Sequence, residues 1–322
     1  MTRQTVEKYQ VLVYLSAIAL GLLIGNLLPR QVEVLKAFLW PTLGVLLYVT
    51  FAQVPLAHVR EAFIEGRFVA AAILGNFVIV PSVIGVLAQL LPADPAIRLG
   101  VLLVLLVPCT DWFITFTHLG GGDTKNAIAF APVSLLLQML LLPVYLWLFL
   151  DEAVLVSIAR QEMLTALVGL ILLPLFLAYL TERWSERAPE RAAAVQRLGG
   201  LAVPLLSVVV FIIAATQVKL VTASLDVLSG LLVVFGSYLL VAATLARVLA
   251  SLFKLPTRQG RVLAFSFGTR NSFVVLPLAL ALPVSFELAV VAVVFQSLVE
   301  LIGMAGFLWL VPRKLFPHSA AA

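Results

Sequence analysis

Three polar groups stand in this chain where an apolar stretch would ordinarily exclude them. Cys109, the only cysteine, lies in Val107-Pro108-Cys109-Thr110-Asp111, inside an apolar run over 97–116. A helix breaker, a thiol and a carboxylate at bilayer depth are tolerated only against protein or a water-filled cavity, so this point is a candidate transport site. Arg270 lies in Gly268-Thr269-Arg270-Asn271-Ser272, and Glu300 sits in the middle of the apolar run around Phe295-Gln296-Ser297-Leu298-Val299-Glu300. A cysteine at a helix N-terminus beside an arginine supplies, as thiolate, the soft ligand that a thiophilic metalloid needs. An unpaired carboxylate at mid-bilayer costs roughly 2.5 kcal/mol or more, and such a group is a natural proton carrier. Arg270 and Asp111 each follow a break. They are expected to form a buried pair that leaves Glu300 free to titrate, the other reading being an ion pair between Glu300 and Arg270.

The elements that hold these groups follow from composition. The chain has 322 residues, 62% of them hydrophobic and 11% charged, with a mean hydropathy of +1.12, which places it among integral membrane proteins. At about 20 apolar residues per crossing, ten spans are expected, over 11–28, 34–56, 68–91, 97–119, 127–150, 163–180, 201–218, 227–252, 261–282 and 286–311. Arg3 and Lys8 precede a first run too long for a signal peptide and without a small-residue cleavage site, so an uncleaved first span is expected.

Orientation follows from Lys and Arg. Arg3, Lys8, Arg60, Arg67, Lys125, Arg183, Arg187, Arg191, Arg197, Lys254, Arg258, Arg261, Arg313 and Lys314 fall on one face, against Arg30, Lys36, Arg98, Arg160 and Lys219 on the other. Both termini are therefore expected in the cytoplasm, in a multi-pass inner (plasma) membrane protein. Arg247, near the end of the eighth span, is expected to snorkel.

The most polar connection, over 181–200, separates five spans from five. Because five is odd, the second half (156–322) must enter the membrane the other way up from the first (1–155), as an inverted repeat. The fold expected is an all-α polytopic protein, a single transmembrane domain of two inverted five-helix repeats. Helix 4, broken at Pro108, and helix 9, broken between Gly268 and Ser272, would cross at the midplane. Paired interruptions at matching positions are the sequence pointer to a secondary transporter's binding site.

Other chemistries find no support. The three histidines (His58, His118, His318) are too scattered for a metal site, and a single cysteine builds no intramolecular disulfide. No basic stripe with interleaved aromatics suggests nucleic acid. Gly120-Gly121-Gly122-Asp123 lacks the Lys-Ser follow-on of a phosphate loop and reads as a cytoplasmic turn. No cofactor is expected. Gln53, Asn76, Gln138, Gln217 and Gln296 are left to line the cavity or to link helices.

Pro108-Cys109-Thr110, Thr269-Arg270-Asn271-Ser272 and Glu300-Leu301 resemble the helix 4, 9 and 10 motifs of the arsenical resistance-3 type arsenite efflux carriers, within the bile acid:sodium symporter superfamily. Weaker likenesses are Asn76 with Pro81 and the stretch 133–149. The resemblance implies a panel and a core domain, export of arsenite, with antimonite as a second substrate, in exchange for protons, and transport roles for Cys109 and Glu300. Substrate contact would come from Cys109, Glu300, Thr110 and Asn271, with Glu300, Arg270 and Asp111 as the charge network. The metalloid would be held through Cys109 with no resident metal. Asp111-Trp112 departs from the pattern, where small or apolar residues are expected. A sodium-coupled symporter of an organic anion shares the fold and stays open as a reading, as does a membrane receptor or enzyme without transport.

Overall fold

A computed structural model describes residues 10–28, 32–56, 65–151, 154, 165–218 and 225–317. Arg3, Lys8, Arg30, His58, Arg60, Arg160, Lys219 and His318 lie outside those ranges, as does the expected boundary at 155/156 between the halves. Among the described residues the chain is all helix, with no named strand. We number the helices α1 (Gln10–Leu27), α2 (Val32–Phe51), α3 (Gly66–Leu90), α4 (Pro95–Leu105), α5 (Trp112–Leu119), α6 (Thr124–Phe149) and α7 (Leu167–Ser185). Then follow α8 (Pro189–Leu198), α9 (Ala202–Thr216), α10 (Leu225–Leu252), α11 (Thr257–Gly268), α12 (Ser272–Leu280) and α13 (Glu287–Leu310).

Seven of the described helical stretches are long and apolar enough to cross a membrane, where ten spans were expected. The difference has a physical origin. Two spans are split into the half-length pairs α4/α5 and α11/α12, and α1 contributes an apolar stretch of only Leu12–Leu27. The outer surface is that of a lipid-facing protein, with Leu140, Trp147, Val233, Leu240 and Ile302 all exposed.

The helices pack in two groups. One comprises α1, α2, α7 and α9. In it Gly21 and Gly25 lie against the backbone of Phe211 and Ala215, so close that a Cβ at Gly25 would stand 2.3 Å from the Ala215 carbonyl oxygen. Small residues four apart let helix backbones touch where lipid supplies no hydrophobic drive between them. The other group comprises α3 to α6 and α10 to α13, with α4 against α13 and α10 against α11 and α13.

The polar connection over 181–200 is more helical than a solvated linker. Thr181 to Ser185 complete α7, α8 is a separate helix, and a 3-10 turn at Gly199–Leu201 leads into α9. Arg247 lies over the ring of Phe316 at 5.5 Å.

Local chemistry explains the elements nearest the breaks. Asp94 caps α4 by accepting from Ala96 N (2.8 Å) and Ile97 N (3.3 Å), with Pro95 in the first turn, where its missing N–H costs nothing. α3 contains a π-helical turn at Gly75–Ile79. Pro81 follows and has no N–H to return to Phe77, so that carbonyl would be an orphan in hydrocarbon. The Tyr145 hydroxyl from α6 donates to it at 2.6 Å.

The close α4–α13 contact can be tested at Gly100. A Cβ there would stand 2.7 Å from Ala289 Cα and 2.8 Å from its carbonyl oxygen. Gly100→Val should cost about 1–3 kcal/mol or more through overpacking, read as a lowered Tm in detergent. Gly236→Ala, where nothing lies within 4 Å, should leave Tm unchanged.

Candidate functional site

The two breaks meet each other. Pro108 and Arg270 form an isolated antiparallel bridge, in which Cys109 N donates to Thr269 O (3.3 Å) and Asn271 N donates to Val107 O (2.8 Å). Each bond is the counterpart of the other when the two breaks are exchanged. Backbone freed from helix by Pro108 and by Gly268-Thr269 thus finds its partners in the opposite break, as a buried environment demands. Asn271 also caps α12 by accepting from Val274 N (3.3 Å), and its amide donates to Thr110 Oγ1 (3.3 Å).

The Arg270 side chain, 2% exposed, turns into the second group of helices, α3 to α6 and α10 to α13, the core group. Its guanidinium donates to Leu105 O (3.3 Å), Asn76 Oδ1 (3.1 Å), Ser266 O (3.3 Å) and Phe267 O (2.7 Å), and it lies over the Tyr238 ring at 5.3 Å. Four oxygens and a π face make a cage for a monovalent cation, already filled by a tethered one. Asn76 is held there from within the π turn of α3, its amide donating to Ser266 Oγ at 2.9 Å.

The expected pair between Arg270 and Asp111 is therefore not formed. The guanidinium takes carbonyl oxygens on the core side of the crossing, and the Asp111 carboxylate lies on the other side, where it accepts from Cys109 Sγ at 3.1 Å. Cys109 accordingly faces a carboxylate, in place of the arginine expected beside it. Glu300 reaches Arg270 through the backbone. Its Oε2 accepts from Arg270 N (2.8 Å) and from Gln296 Nε2 (2.7 Å), and Gln296 Oε1 accepts from Ser272 Oγ (2.8 Å). Among the described residues no hydrogen bond falls on Glu300 Oε1.

One cavity, of about 270 Å³, reaches the crossing. It is bounded by α2, α5 and the start of α9, and its polar lining is Thr50, Gln53, Asp111 and Thr115. Cys109, 2% exposed, stands behind Asp111. A second and wider cavity, of about 760 Å³, lies between Trp40 and Leu170 of the first group and the end of α12 at Leu280. The first cavity meets α2 at Thr50 and the second meets it at Trp40, about 15 Å apart along that helix. Trp112, on the wall of the first cavity, stacks on Tyr14 (5.8 Å, 15°) and meets Phe273 edge to face (5.1 Å, 69°).

The crossing thus brings together Pro108, Cys109, Thr110, Asp111, Gly268, Arg270, Asn271, Ser272 and Glu300. Of the glutamines left open by the sequence, Gln296 belongs to the crossing, and Gln53 both lines the cavity and donates to Val195 O (3.1 Å). Gln138 is buried away from both, and Gln217 ends α9. Sequence reasoning missed Tyr238 and Ser266. Tyr238, whose hydroxyl donates to Phe267 O (2.5 Å), was a polar hydroxyl in a long apolar run and could have been found on that ground. Gly120-Gly121-Gly122-Asp123 is a turn. Gly121 has a φ of 66°, Arg261 donates to the Gly120 and Gly121 carbonyls, and Asp123 caps α6.

A multi-pass helical membrane protein built around two interrupted helices that pair in a buried polar crossing has the architecture of a secondary transporter. A family model described as the Sodium Bile acid symporter family matches residues 40–224, more than half of the chain, and the chain belongs to that family. It is accordingly a membrane transporter of small solutes. The matched segment includes the first break and ends before the second and before Glu300. Compared with individually curated proteins, the chain matches none.

Glu300→Ala would leave Arg270 N and Gln296 Nε2 without their acceptor at full burial, about 1–3 kcal/mol for each stranded donor. Thermal unfolding in detergent should show a clear fall in Tm for Glu300→Ala and a much smaller one for Glu300→Gln, which keeps an acceptor oxygen.

Proposed function

We propose that this transporter exports arsenite, and with it antimonite, from the cytoplasm in exchange for protons by alternating access. The observation that carries the coupling is the filled cage around Arg270. In a family named for sodium symport, the oxygens that converge at the crossing already hold a guanidinium, which leaves them no room for a free sodium ion. Counting each broken pair as one span and α1 as another gives ten helices in two inverted five-helix repeats, 1–155 and 156–322, with 181–200 as the cytoplasmic connection. With both termini cytoplasmic, the cavity lined by Asp111 and Thr50 opens inward.

Arsenite enters as the neutral trihydroxide, and Cys109 makes one transient As–S contact. One cysteine cannot build a three-thiolate cage, so the solute remains releasable. Thr110 and Asn271 present their polar groups beside it. Ionised Glu300 accepts a hydrogen bond from an As–OH group on Oε1 while Oε2 holds the backbone of Arg270. Protonation from outside turns Oε1 from an acceptor into an O–H donor, releasing the solute, while Oε2 keeps its hold on Arg270 N and Gln296. The proton returns inward as the core group moves against the panel of α1, α2, α7 and α9.

Family membership favours a second reading, a sodium-coupled symporter of an organic anion with Arg270 as the anion's partner. Everted vesicles separate the two. Wild type should accumulate arsenite under a proton gradient and ignore a sodium gradient, while Cys109→Ser and Glu300→Gln should each lose about tenfold or more, the scale of one lost substrate contact or proton carrier. Sodium-driven uptake of an organic anion that survives Cys109→Ser would establish the second reading instead.

The cage itself can be emptied. Arg270→Ala should abolish proton-driven export, and millimolar guanidinium should restore part of it by refilling the oxygens. Full activity in Arg270→Ala without guanidinium would remove the tethered cation from the mechanism.

A further inference from the structure

Asp111 occupies the most exposed polar position at the crossing. Asp111 forms part of the inner cavity wall and receives the hydrogen of the Cys109 thiol at 3.1 Å. On the same cavity Thr50, 2% exposed, carries a buried hydroxyl with no partner among the described residues. A buried hydroxyl left unsatisfied is costly unless something polar visits it. α2 belongs to the panel and α5 to the core, so these two groups address the cavity from both bodies.

We infer that Asp111 is the proton acceptor for metalloid capture by Cys109, and that Thr50 holds an arsenic hydroxyl from the opposite wall. This rests on the arsenite reading given above. In the capture step the Cys109 thiol gives its proton to the Asp111 carboxylate as sulfur bonds to arsenic. One As–OH bond breaks, and the departing hydroxide takes that proton from Asp111 to leave as water. Cys109–SH and As(OH)₃ become Cys109–S–As(OH)₂ and H₂O, with arsenic trivalent throughout. Asp111 ends the step ionised, ready for the reverse reaction at release. A small or apolar residue at this position would leave the thiol proton to bulk water. The neutral trihydroxide suits this cavity because Asp111 offers acceptors for its hydroxyls while presenting a negative wall to competing oxyanions.

The single cysteine makes the test direct. Full-length protein is mixed with arsenite, and capture is followed as protection of Cys109 against methyl methanethiosulfonate, read by intact mass. Wild type should be protected rapidly. Asp111→Asn should capture about 100-fold more slowly, the scale of a lost proton acceptor, while the extent of its protection at equilibrium is largely unchanged. A merely structural role would lower both. In Asp111→Ala, added formate should restore part of the rate. Thr50→Val should weaken protection about fivefold at equilibrium, the scale of one lost hydrogen bond.

Capture by folded Asp111→Asn at the wild-type rate, or no effect of formate on folded Asp111→Ala, overturns the role of Asp111. Should neither variant fold, slowing of wild-type capture about twofold in heavy water is expected for a proton in flight, and its absence overturns the role equally. Failure of wild type to be protected at all would instead defeat the arsenite reading.

Discussion

The structure depends on a short piece of backbone pairing. Two helices break in a place without water, and every N–H and C=O released by the breaks needs a partner there. The bonds from Cys109 N to Thr269 O and from Asn271 N to Val107 O supply the central pair, so neither break is stable without the other. The surrounding polar groups finish the accounting. Phe267 O, left over at the end of α11, receives both Arg270 and Tyr238. Asn271 closes the start of α12, and Glu300 takes Arg270 N. Much of the polar chemistry at mid-depth is thus answerable to backbone, and what remains uncommitted among the described residues stands out against it: Glu300 Oε1, the second oxygen of Asp111, Arg270 Nε and the hydroxyl of Thr50.

Charge is separated across this crossing. The guanidinium of Arg270 points into the core group, where carbonyl dipoles and a ring face replace water. Asp111 and Cys109 point toward the cavity. A direct pair between Arg270 and Asp111 would have been the shorter route to neutrality. It would also have closed the cavity side of the crossing and consumed the carboxylate. The bridge places Pro108, not Asp111, opposite Arg270, so the two charges stand three residues out of register, and that geometry overrides the simple expectation that opposite charges after matching breaks must meet.

Much of this was legible in the residues. Proline at 108 and the Gly268-to-Ser272 stretch mark the breaks because their local chemistry is incompatible with continuous helix, and Glu300 stands out because a carboxylate in an apolar run has few explanations. What the sequence could not supply was direction. Whether Arg270 faces Asp111 or Asn76 depends on which way each strand of the bridge is turned, a tertiary property with no periodic signature. Asn76 was visible as a polar residue in helix 3, but its role depends on a π turn that rotates it inward. The seven full-length spans among the described residues fall short of the ten expected because two of the ten are the broken helices that the residues already marked, and the apolar stretch of α1 is short.

The π turn in α3 has a mechanical consequence as well. A Cβ on Gly75 would stand 2.1 Å from the ring of Phe267, so that ring is seated in a notch that only glycine leaves open. Phe267 is the penultimate residue of α11, next to the break, and its own carbonyl is held by Arg270 and Tyr238. Notch and cage together fix the register of α3 against the crossing: α11 cannot slide along α3 without lifting the ring out of its seat and pulling Asn76 off the guanidinium. Any displacement of the crossing must carry α3 and α10 with it as one carriage, and the slip plane is left to the boundary with the panel, where Trp112 of the core rests on Tyr14 by a stacked ring, a contact that tolerates sliding far better than a seated one.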